Sequence, residues 1–440
     1  MFDGRRKFDI CVAPSRKRSG MGISMRKRLK LWACIAVAGM LSAGCGNKTE
    51  ITEKPVETEN PVEAEEPVTD DQTPDDTTSD QEPVNVQEQE TENHCQITGG
   101  QVALVIDVGS AMDGGFNQAA LNGAQTYAEA ADISYSYYSA GEDTPESYEK
   151  AVLTAIENDA ALVICAGSHF EQAVGQLQEE YGDVYFLLLD GVPRDPEGDE
   201  TGIASNVHCI TYQEEEAGYL AGYMAVLDGY TRLGFIGGEQ LPAVERYGYG
   251  YLQGIDAAAE VMDNRDDISV EYWYAGTFMA DREIEEVSSE WYEAGTEVIF
   301  TCGGSLYQSV LKSAEPCGGR LIGVDVDQSD VSGLFLTSAM KGIDSSVIDA
   351  LDEFFANGRS WPKGIAGNVV SYGAKEKCVR LPVQAAAWRF QTATMKDYLE
   401  VLAGLKSGGI QVSDDIDMQP ETTVSVIYHE QEEDLCKPEK

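Results

Sequence analysis

Residues 101–118 read QVALVIDVGSAMDGGFNQ, and the character of this segment changes twice. The apolar run Val102–Ile106 has the composition of a parallel strand that is covered on both faces. A polar, glycine-rich turn follows it, and an alanine-rich helical pattern begins at Phe116. Strand, turn and helix in this order predict the first unit of an α/β domain.

The same alternation continues along the chain and predicts an α/β fold. Further strands are predicted at Ile133–Tyr138, Ala161–Cys165, Val184–Leu189, Leu233–Ile236, Val270–Tyr274, Val298–Thr301, Leu321–Val324 and Leu334–Ser338. Helices are predicted at Phe116–Ala131, Pro145–Asn158, Phe170–Tyr181, Tyr212–Leu227, Pro242–Met262, Asp281–Ala294, Ser305–Glu315, Lys341–Asn357 and Thr394–Lys406.

These units form two lobes, each a parallel sheet flanked by helices, within a folded domain of residues 99–426. Lobe 1 is expected at about 99–210 together with C-terminal return segments, and lobe 2 at about 230–337. Two similar α/β lobes imply a cleft between them, and ligands of such sheets bind beyond the carboxyl ends of the strands.

The N-terminal segment has the pattern of a lipoprotein export signal. A basic run, Arg26–Lys30, precedes the apolar stretch Leu31–Met40, and small residues lead up to Cys45. The apolar stretch is too short to span a bilayer stably, so we expect residues 1–45 to be upstream sequence and a cleaved signal, with acyl chains on Cys45. An uncleaved N-terminal helix is the alternative. Residues 46–98 are acidic and lack aromatic side chains, which predicts a disordered tether, and residues 427–440 form an acidic tail.

Composition and motifs exclude several functions. The formal charge of -45 and the lack of a basic stripe argue against a nucleic-acid partner. The sequence contains no Gly-Lys-Ser/Thr phosphate loop, no Gly-x-Ser-x-Gly elbow and no His-Glu-x-x-His motif, so we expect no enzymatic activity, no cofactor and no metal site. The cysteines after Cys45 are odd in number, so at least one is unpaired in a monomer; Cys165 and Cys302 lie in apolar runs and are expected to be buried.

Several ordered motifs resemble the basic membrane protein family, the lipoprotein substrate-binding proteins of ABC importers of the purine nucleoside receptor type. The likeness extends over residues 101–412 and is carried by Asp107 to Gln118, Gly234 to Gly238, Gly303-Gly304, Ile322 to Gln328, Leu336 to Lys341 and Leu405 to Val412. It implies a two-lobed class I periplasmic-binding-protein fold that closes on a nucleoside. It also implies an ABC permease and a separate ATPase subunit as partners.

The resemblance assigns candidate ligand-binding residues. Phe116 and Phe278 would sandwich a flat base, although either ring could instead belong to the core. Asp325 would accept hydrogen bonds from ribose hydroxyls and Lys341 would act at the same sugar end, although both side chains could instead simply be solvated at the surface. Gly303 and Gly304 would let the backbone approach the sugar closely.

Asp107, Asn117 and Asp190 are the candidates for reading the edge of the base, and each could instead cap a helix. Many relatives carry Asp or Asn where this chain has Met112, so the base itself stays open. Tyr247 could line the cleft or only pack lobe 2.

Three functions therefore remain. The first is a lipid-anchored, extracytoplasmic solute-binding protein that delivers a nucleoside, expected to be a purine nucleoside, to an importer. The second is a sensor that presents a bound nucleoside or another ring-bearing solute to a membrane receptor, and the third is a nucleoside-processing enzyme. The pattern does not decide between ribose and deoxyribose.

Overall fold

A computed structural model of the chain describes residues 101–429. The predicted signal, Cys45, the tether and residues 430–440 of the tail lie outside the described residues. The strands are β1 Val102–Ile106, β2 Tyr135–Ser139, β3 Leu162–Ala166, β4 Tyr185–Leu189, β5 Val207–Tyr212, β6 Arg232–Gly237, β7 Ser269–Tyr274, β8 Val298–Cys302, β9 Arg320–Asp325, β10 Phe335–Lys341, β11 Asn368–Tyr372, β12 Val379–Arg380 and β13 Ser425–Tyr428.

Helices cover both sheets and follow the strands in alternation. They are α1 Phe116–Ala131, α2 Pro145–Glu157, α3 Glu171–Glu180, α4 Glu214–Leu227, α5 Pro242–Met262, α6 Arg282–Ala294, α7 Tyr307–Ala314, α8 Ile343–Ala356 and α9 Met395–Ser407. Short 3-10 turns lie at Ser168–Phe170 and Arg265–Asp267.

The strands form two sheets, one in each lobe. In lobe 1 the order is β11-β5-β4-β3-β1-β2, and every neighbouring pair is parallel. In lobe 2 the order is β12-β10-β9-β8-β6-β7-β13, parallel except for the pairing of β12 with β10. The central strands β1, β3 and β8 are buried along their whole length, as their continuous apolar sequences require.

The chain passes between the lobes three times, and the passages lie close together. The first passage follows β5 and leads to α4, which packs on α5 in lobe 2. The second follows β10 and leads to α8, which packs on α1 in lobe 1. The third follows β11 and leads to β12, which joins the sheet of lobe 2. The backbone N–H of Gln213, after β5, donates to the carbonyl of Tyr372, at the end of β11 (3.0 Å). Adjacent passages of this kind are where hinge closure of two lobes takes place.

Glycines allow α4 and α5 to pack with their backbones in contact. A Cβ atom on Gly218 would collide with the carbonyl of Tyr247, and one on Gly254 would collide with the carbonyl of Tyr219. The glycine-rich run in α5 is thus a packing feature.

The sequence-based boundaries need several corrections. The strand β5 was not predicted, and the helix expected from Tyr212 begins at Glu214. Lobe 2 therefore takes in α4, ahead of the expected start at about 230, and β10 extends to Lys341, past 337. Lys341 is the last residue of a strand and not the first of a helix. At the C-terminus β13 runs to Tyr428, beyond the expected domain end at Val426.

Cys165 and Cys302 are buried in the two sheets, as predicted. All cysteines of the described residues are free thiols: Cys165, Cys209, Cys302, Cys317 and Cys378.

Candidate ligand-binding site

Every residue predicted to bind ligand lines one cavity between the two lobes. From lobe 1 the walls come from the carboxyl ends of β1, β3 and β4, and from lobe 2 they come from those of β6 to β10. The predicted residues along it are Asp107, Phe116, Asn117, Asp190, Phe278, Gly303, Gly304, Asp325 and Lys341. This is the edge of an α/β sheet where ligands bind.

Two aspartates shape the turn that follows β1. Asp113 accepts hydrogen bonds from three backbone N–H groups at the start of α1, at distances of 2.8 to 3.1 Å, and so caps this helix. Oδ1 of Asp107 accepts from the backbone N–H of Gly109 (2.8 Å) and from Nδ2 of Asn117 (2.9 Å). Asp107 and Asn117 therefore form a hydrogen-bonded pair on the cavity wall.

The orientation of the Asn117 amide is fixed by chemistry. Its neighbour Asp107 can only accept when ionised, so the NH₂ group must face Asp107. Oδ1 of Asn117 is left buried and has no hydrogen-bond partner among residues 101–429. The same is true of Oδ1 of Asp190. A buried acceptor without a donor costs about 1–3 kcal/mol, so these two oxygens favour a ligand that brings donors.

A buried lysine joins the carboxylates at the other end of the cavity. Nζ of Lys341 contacts Oδ2 of Asp190, Oε1 of Glu214 at 3.3 Å and Oδ1 of Asp325 at 3.7 Å. The second oxygen of Glu214 accepts from Nε of Arg246 at 2.7 Å. Two donors of the Lys341 ammonium are thus used by Asp190 and Glu214, and Asp325 is a close ion-pair neighbour.

This arrangement bears on two expected roles. Lys341 pairs with the carboxylates of Asp190 and Asp325, and its action at the sugar end stays a prediction. Asp190, expected at the base edge with Asp107 and Asn117, lies with Asp325 on Lys341 instead. Asp190 directly follows β4 and Asp325 is the last residue of β9, and each has a positive φ, 58° for Asp190 and 64° for Asp325. Such backbone is uncommon outside glycine and tends to occur at functional sites.

The charges of this cluster are strongly perturbed. Burial, only partly offset by Lys341, raises the pKa of Asp190 to about 7 and that of Asp325 to about 6. Burial by itself would lower the pKa of Lys341, but the surrounding carboxylates raise it above its usual value. Lys341 therefore keeps its charge, while the two aspartates change charge near neutral pH.

Phe278 is positioned by glycines from two neighbouring loops. A Cβ atom on Gly238 or on Gly303 would collide with the Phe278 ring, and one on Gly304 would lie 2.6 Å from the Phe278 carbonyl. Gly303 and Gly304 also have positive φ values, 135° and 47°. These glycines approach Phe278 closely, and an approach of their backbone to a bound sugar stays a prediction.

The other predicted ring, Phe116, has one face occupied. Nζ of Lys341 lies 4.7 Å from the centroid of the Phe116 ring, in a cation–π contact. The opposite face is the one that can stack on a ligand. Tyr247, whose role was left open, both lines the cavity and packs lobe 2: its hydroxyl donates to Oδ1 of Asp325 at 3.4 Å and to the carbonyl of Ala339 at 3.3 Å.

Sequence reasoning missed three residues of the site, namely Glu214, His169 and Glu239. Glu214 is fully buried between Lys341 and Arg246, although its Glu-Glu-Glu run has the composition of a solvated helix start. His169 lines the cavity and contacts Glu239 of the other lobe. The sequence signal that could have identified His169 is its position just after β3. Among residues 101–429 no group of His, Cys, Asp and Glu side chains has the arrangement of a metal site.

The fold is shared with solved solute-binding proteins. A structure of ABC transporter system solute-binding proteins from Aeropyrum pernix matches 70% of this chain and 86% of its own with a TM-score of 0.56, at 19% sequence identity. The predicted periplasmic-binding-protein fold is confirmed. No helix within residues 101–429 has the length and apolar character needed to cross a membrane.

Curated relatives are similar over most of their length. The ABC transporter nucleoside-binding protein BmpA of Lactococcus lactis is 24% identical over 69% of this chain and 87% of its own. The CD4+ T-cell-stimulating antigen of Listeria monocytogenes is 26% identical over 64% of this chain and 79% of its own.

The family described as ABC transporter substrate-binding protein PnrA-like matches residues 100–417. The match confirms both the resemblance read from the motifs and the prediction that the chain is not an enzyme, because the family consists of solute-binding proteins of ABC transporters. The chain belongs to the Bmp family of PnrA-like ABC transporter substrate-binding proteins.

Proposed function

We propose that this protein is a lipid-anchored receptor on the outer face of the cell membrane that captures a purine nucleoside and delivers it to an ABC importer. The permease and the ATPase of that importer are separate chains. One observation carries the proposal: a single cavity is lined by aromatic rings from both lobes and by a buried pair of carboxylates. A nucleoside matches both features, because its base offers π faces and its sugar offers hydroxyl donors.

The contacts assign a role to each group. The free face of Phe116 and the ring of Phe278 stack on the base, which contributes about 1–3 kcal/mol per base. Asp325 and Asp190, held by Lys341, accept hydrogen bonds from the sugar hydroxyls.

The group of the Asp107–Asn117 pair that is buried and lacks a partner among residues 101–429 is an acceptor, Oδ1 of Asn117. Asn117 turns its NH₂ group towards Asp107, so the oxygens left for a ligand on this pair cannot donate. Guanine presents adjacent N–H donors at N1 and N2, whereas adenine presents an acceptor at N1. We therefore expect guanosine to bind more tightly than adenosine. The Lactococcus lactis relative is a nucleoside-binding protein, which supports the ligand class.

Calorimetry on ligand-stripped protein tests the proposal. Guanosine, inosine, adenosine, cytidine and uridine form the panel, and we expect one-to-one binding of a purine nucleoside with a Kd of about 1 μM or lower, equivalent to about 8 kcal/mol or more. The absence of heat and of a thermal shift with every nucleoside would refute the ligand class. Tighter binding of the pyrimidines would refute the purine assignment alone.

A second comparison tests the sugar contact. Wild type is expected to prefer guanosine over 2′,3′-dideoxyguanosine by at least about tenfold, since loss of a charge-assisted hydrogen bond costs about 1.5–3 kcal/mol. Asp325→Asn keeps the shape and tolerates the positive φ but removes the charge. It should lose most of this preference, and an unchanged preference would show that Asp325 does not hold the sugar.

A further inference from the structure

One ionic contact joins the two lobes at the solvent-facing edge of the cavity. Nε2 of His169, in the turn after β3 of lobe 1, lies 2.9 Å from Oε2 of Glu239, in the loop after β6 of lobe 2. Both residues line the cavity, and their side chains are 15% and 26% exposed. The pair therefore bridges the cleft where it opens to solvent.

The His169 ring is held in place by lobe 1 and reaches across to lobe 2. It stacks on Tyr148 with a centroid distance of 5.2 Å and an interplanar angle of 14°. Tyr148 is fixed in turn by a hydrogen bond from its hydroxyl to Oδ1 of Asp143 at 2.7 Å. On the other side the edge of the His169 ring meets Phe278 of lobe 2, at a centroid distance of 6.3 Å. Opening the lobes would break the contacts to Glu239 and Phe278 and leave the one to Tyr148.

We propose that His169 and Glu239 form a proton-dependent latch that holds the lobes closed over the bound ligand and so limits its release. The inference rests on the proposed function in one respect only: a ligand must bind in this cavity. A His–Glu pair across a cleft forms a strong charge-assisted hydrogen bond when the imidazole is protonated. Closure then takes up a proton, and ligand exit requires that the pair be broken.

The charges around His169 give the sign of the pH effect. Burial by itself would lower the pKa of His169, but the hydrogen bond to Glu239 and the charges of Glu239, Asp107 and Asp143 raise it above its usual value. Within residues 101–429 the Tyr148 phenol is a further titratable group, and it stacks on the ring. In the open form Glu239 moves away, so the closed form binds the proton more tightly. Low pH therefore favours closure, and release accelerates as the pH rises through the pKa of the closed form.

Other contacts between the lobes do not share this dependence. Nε2 of Gln328 donates to the Gly114 carbonyl at 2.9 Å, and neither group titrates. Asp190 and Asp325 do titrate near neutral pH, but their effect of pH on ligand release has the opposite sign. Their ionised forms, favoured at higher pH, are the ones that accept hydrogen bonds from the sugar hydroxyls. The contribution of the latch is therefore measured as the difference in the pH dependence of release between wild type and a His169 variant.

Stopped-flow release of guanosine from the full mature protein tests the latch. At pH 6 we expect His169→Asn and Glu239→Gln each to release guanosine about tenfold faster than wild type, the effect of losing one charge-assisted hydrogen bond. The double variant should be no faster than either single one. Between pH 6 and 8 the rate for wild type should rise relative to that for His169→Asn.

The matched control is a pair of the same chemistry within one lobe. Nε2 of His429 lies 2.6 Å from Oε2 of Glu271 on β7, and both belong to lobe 2. His429→Asn should leave release and its pH dependence unchanged. Equal effects of His169→Asn and His429→Asn, or no effect of either, would overturn the latch while nucleoside binding stands.

Small-angle scattering of ligand-free protein tests the latch without a nucleoside. We expect wild type to be more compact at pH 6 than at pH 8 and His169→Asn to lack this His-dependent part of the change. If no nucleoside binds, the proposed function fails and the scattering alone decides the latch: identical pH profiles of wild type and variant would overturn it.

Discussion

Lys341 determines the electrostatics of the cleft through its position. Its side chain is 2% exposed, and its ammonium lies among carboxylates from both lobes. Placed at the end of β10, next to a passage between the lobes, it links Asp190 of lobe 1 with Asp325 of lobe 2. The buried lysine therefore fixes the relative position of the two strand ends, which in the proposed function form the hydroxyl-accepting end of the cavity.

Removing this charge should destabilise the fold. Lys341→Met leaves Asp190, Glu214 and Asp325 without their shared cation, and breaking a buried ion pair costs about 3–5 kcal/mol. We expect a fall of this size in the free energy of unfolding, measured in urea.

Lys312→Met is the control for that measurement. Lys312 pairs with Glu285 at 3.6 Å with 64% of its side chain exposed, and exposed pairs contribute at most about 1 kcal/mol. Similar losses in the two variants would contradict the assigned importance of the buried cluster.

Asp325 should make the ligand-free protein less stable as the pH rises. Burial raises its pKa in the folded state to about 6, above the usual value of 3.8, so the folded protein binds more protons than the unfolded chain between these values. The stabilising contribution is complete below pH 3.8 and is lost as the pH passes through about 6. Asp325→Asn, which does not titrate, should gain in urea stability relative to wild type between pH 4.5 and pH 8. A constant difference across this range would show that the Asp325 pKa is not raised.

At the scale of elements, the loop between β8 and α7 is built around one aromatic ring. The backbone N–H groups of Ser305 and Leu306 donate to the Phe278 carbonyl at 2.8 and 3.1 Å, and Gly303 leaves space for its ring. Two loops of lobe 2 thus fix a side chain that the proposed function uses for stacking.

Gly303→Ala should displace that ring. The new methyl group would collide with Phe278, and the φ of 135° strains any residue other than glycine. We expect the affinities for guanosine, inosine and adenosine to fall by a similar factor of about ten, because stacking tolerates any base. Calorimetry with the three nucleosides measures this.

Gly229→Ala separates strain from collision. Gly229 also has a positive φ, 104°, but a Cβ atom there would meet no other atom within 4 Å. The Gly229→Ala substitution should lower the stability of the fold and leave the affinity for nucleosides unchanged. Equal losses of affinity in the two variants would mean that the space around Phe278 does not matter for binding.

The sequence predicted most strands and helices because their apolar periods are strong, but it failed at the passages between the lobes. Strand β5, Val207–Tyr212, includes His208 and Thr211 and so lacks a continuous apolar run. The return strands β11 and β13 are largely exposed, so burial imposes no apolar pattern on them.

The residues of the site were predictable but their pairing was not. Strand ends of parallel sheets converge, and for this reason every predicted residue lines one cavity. The partners of Lys341 are 151 positions away at Asp190 and 127 positions away at Glu214, and no local pattern encodes such a contact. A glutamate run at a helix start likewise gives no sign that Glu214 is buried.

At the scale of the whole molecule, ligand capture requires movement about the three passages between the lobes. The contacts of His169 with Glu239 and of Gln328 with Gly114 cross the cleft and belong to a closed form. Lys341 and Glu214 lie beside the passages themselves, so the cluster that receives the sugar hydroxyls in the proposed function borders the hinge. Occupancy of the cavity and the angle between the lobes are thereby coupled.

The described residues that contain this cleft begin at Gln101, well after Cys45. All residues assigned to the ligand lie between Asp107 and Lys341, so we expect attachment to the membrane and ligand binding to be independent. In the proposed function acyl chains on Cys45 supply the attachment, and each buried CH₂ group contributes about 0.8 kcal/mol.

Cys45→Ser should therefore release the protein from membranes while leaving guanosine affinity unchanged. Detergent partition of cell fractions measures the first effect, and calorimetry on the released protein measures the second. Cys317→Ser, which alters an exposed thiol within the folded unit, should leave membrane attachment as in wild type. Retention of the Cys45→Ser variant in the detergent phase would refute the lipid anchor. Release accompanied by loss of affinity would instead show that the anchored segment contributes to the cleft, against the independence that the position of the ligand-binding residues predicts.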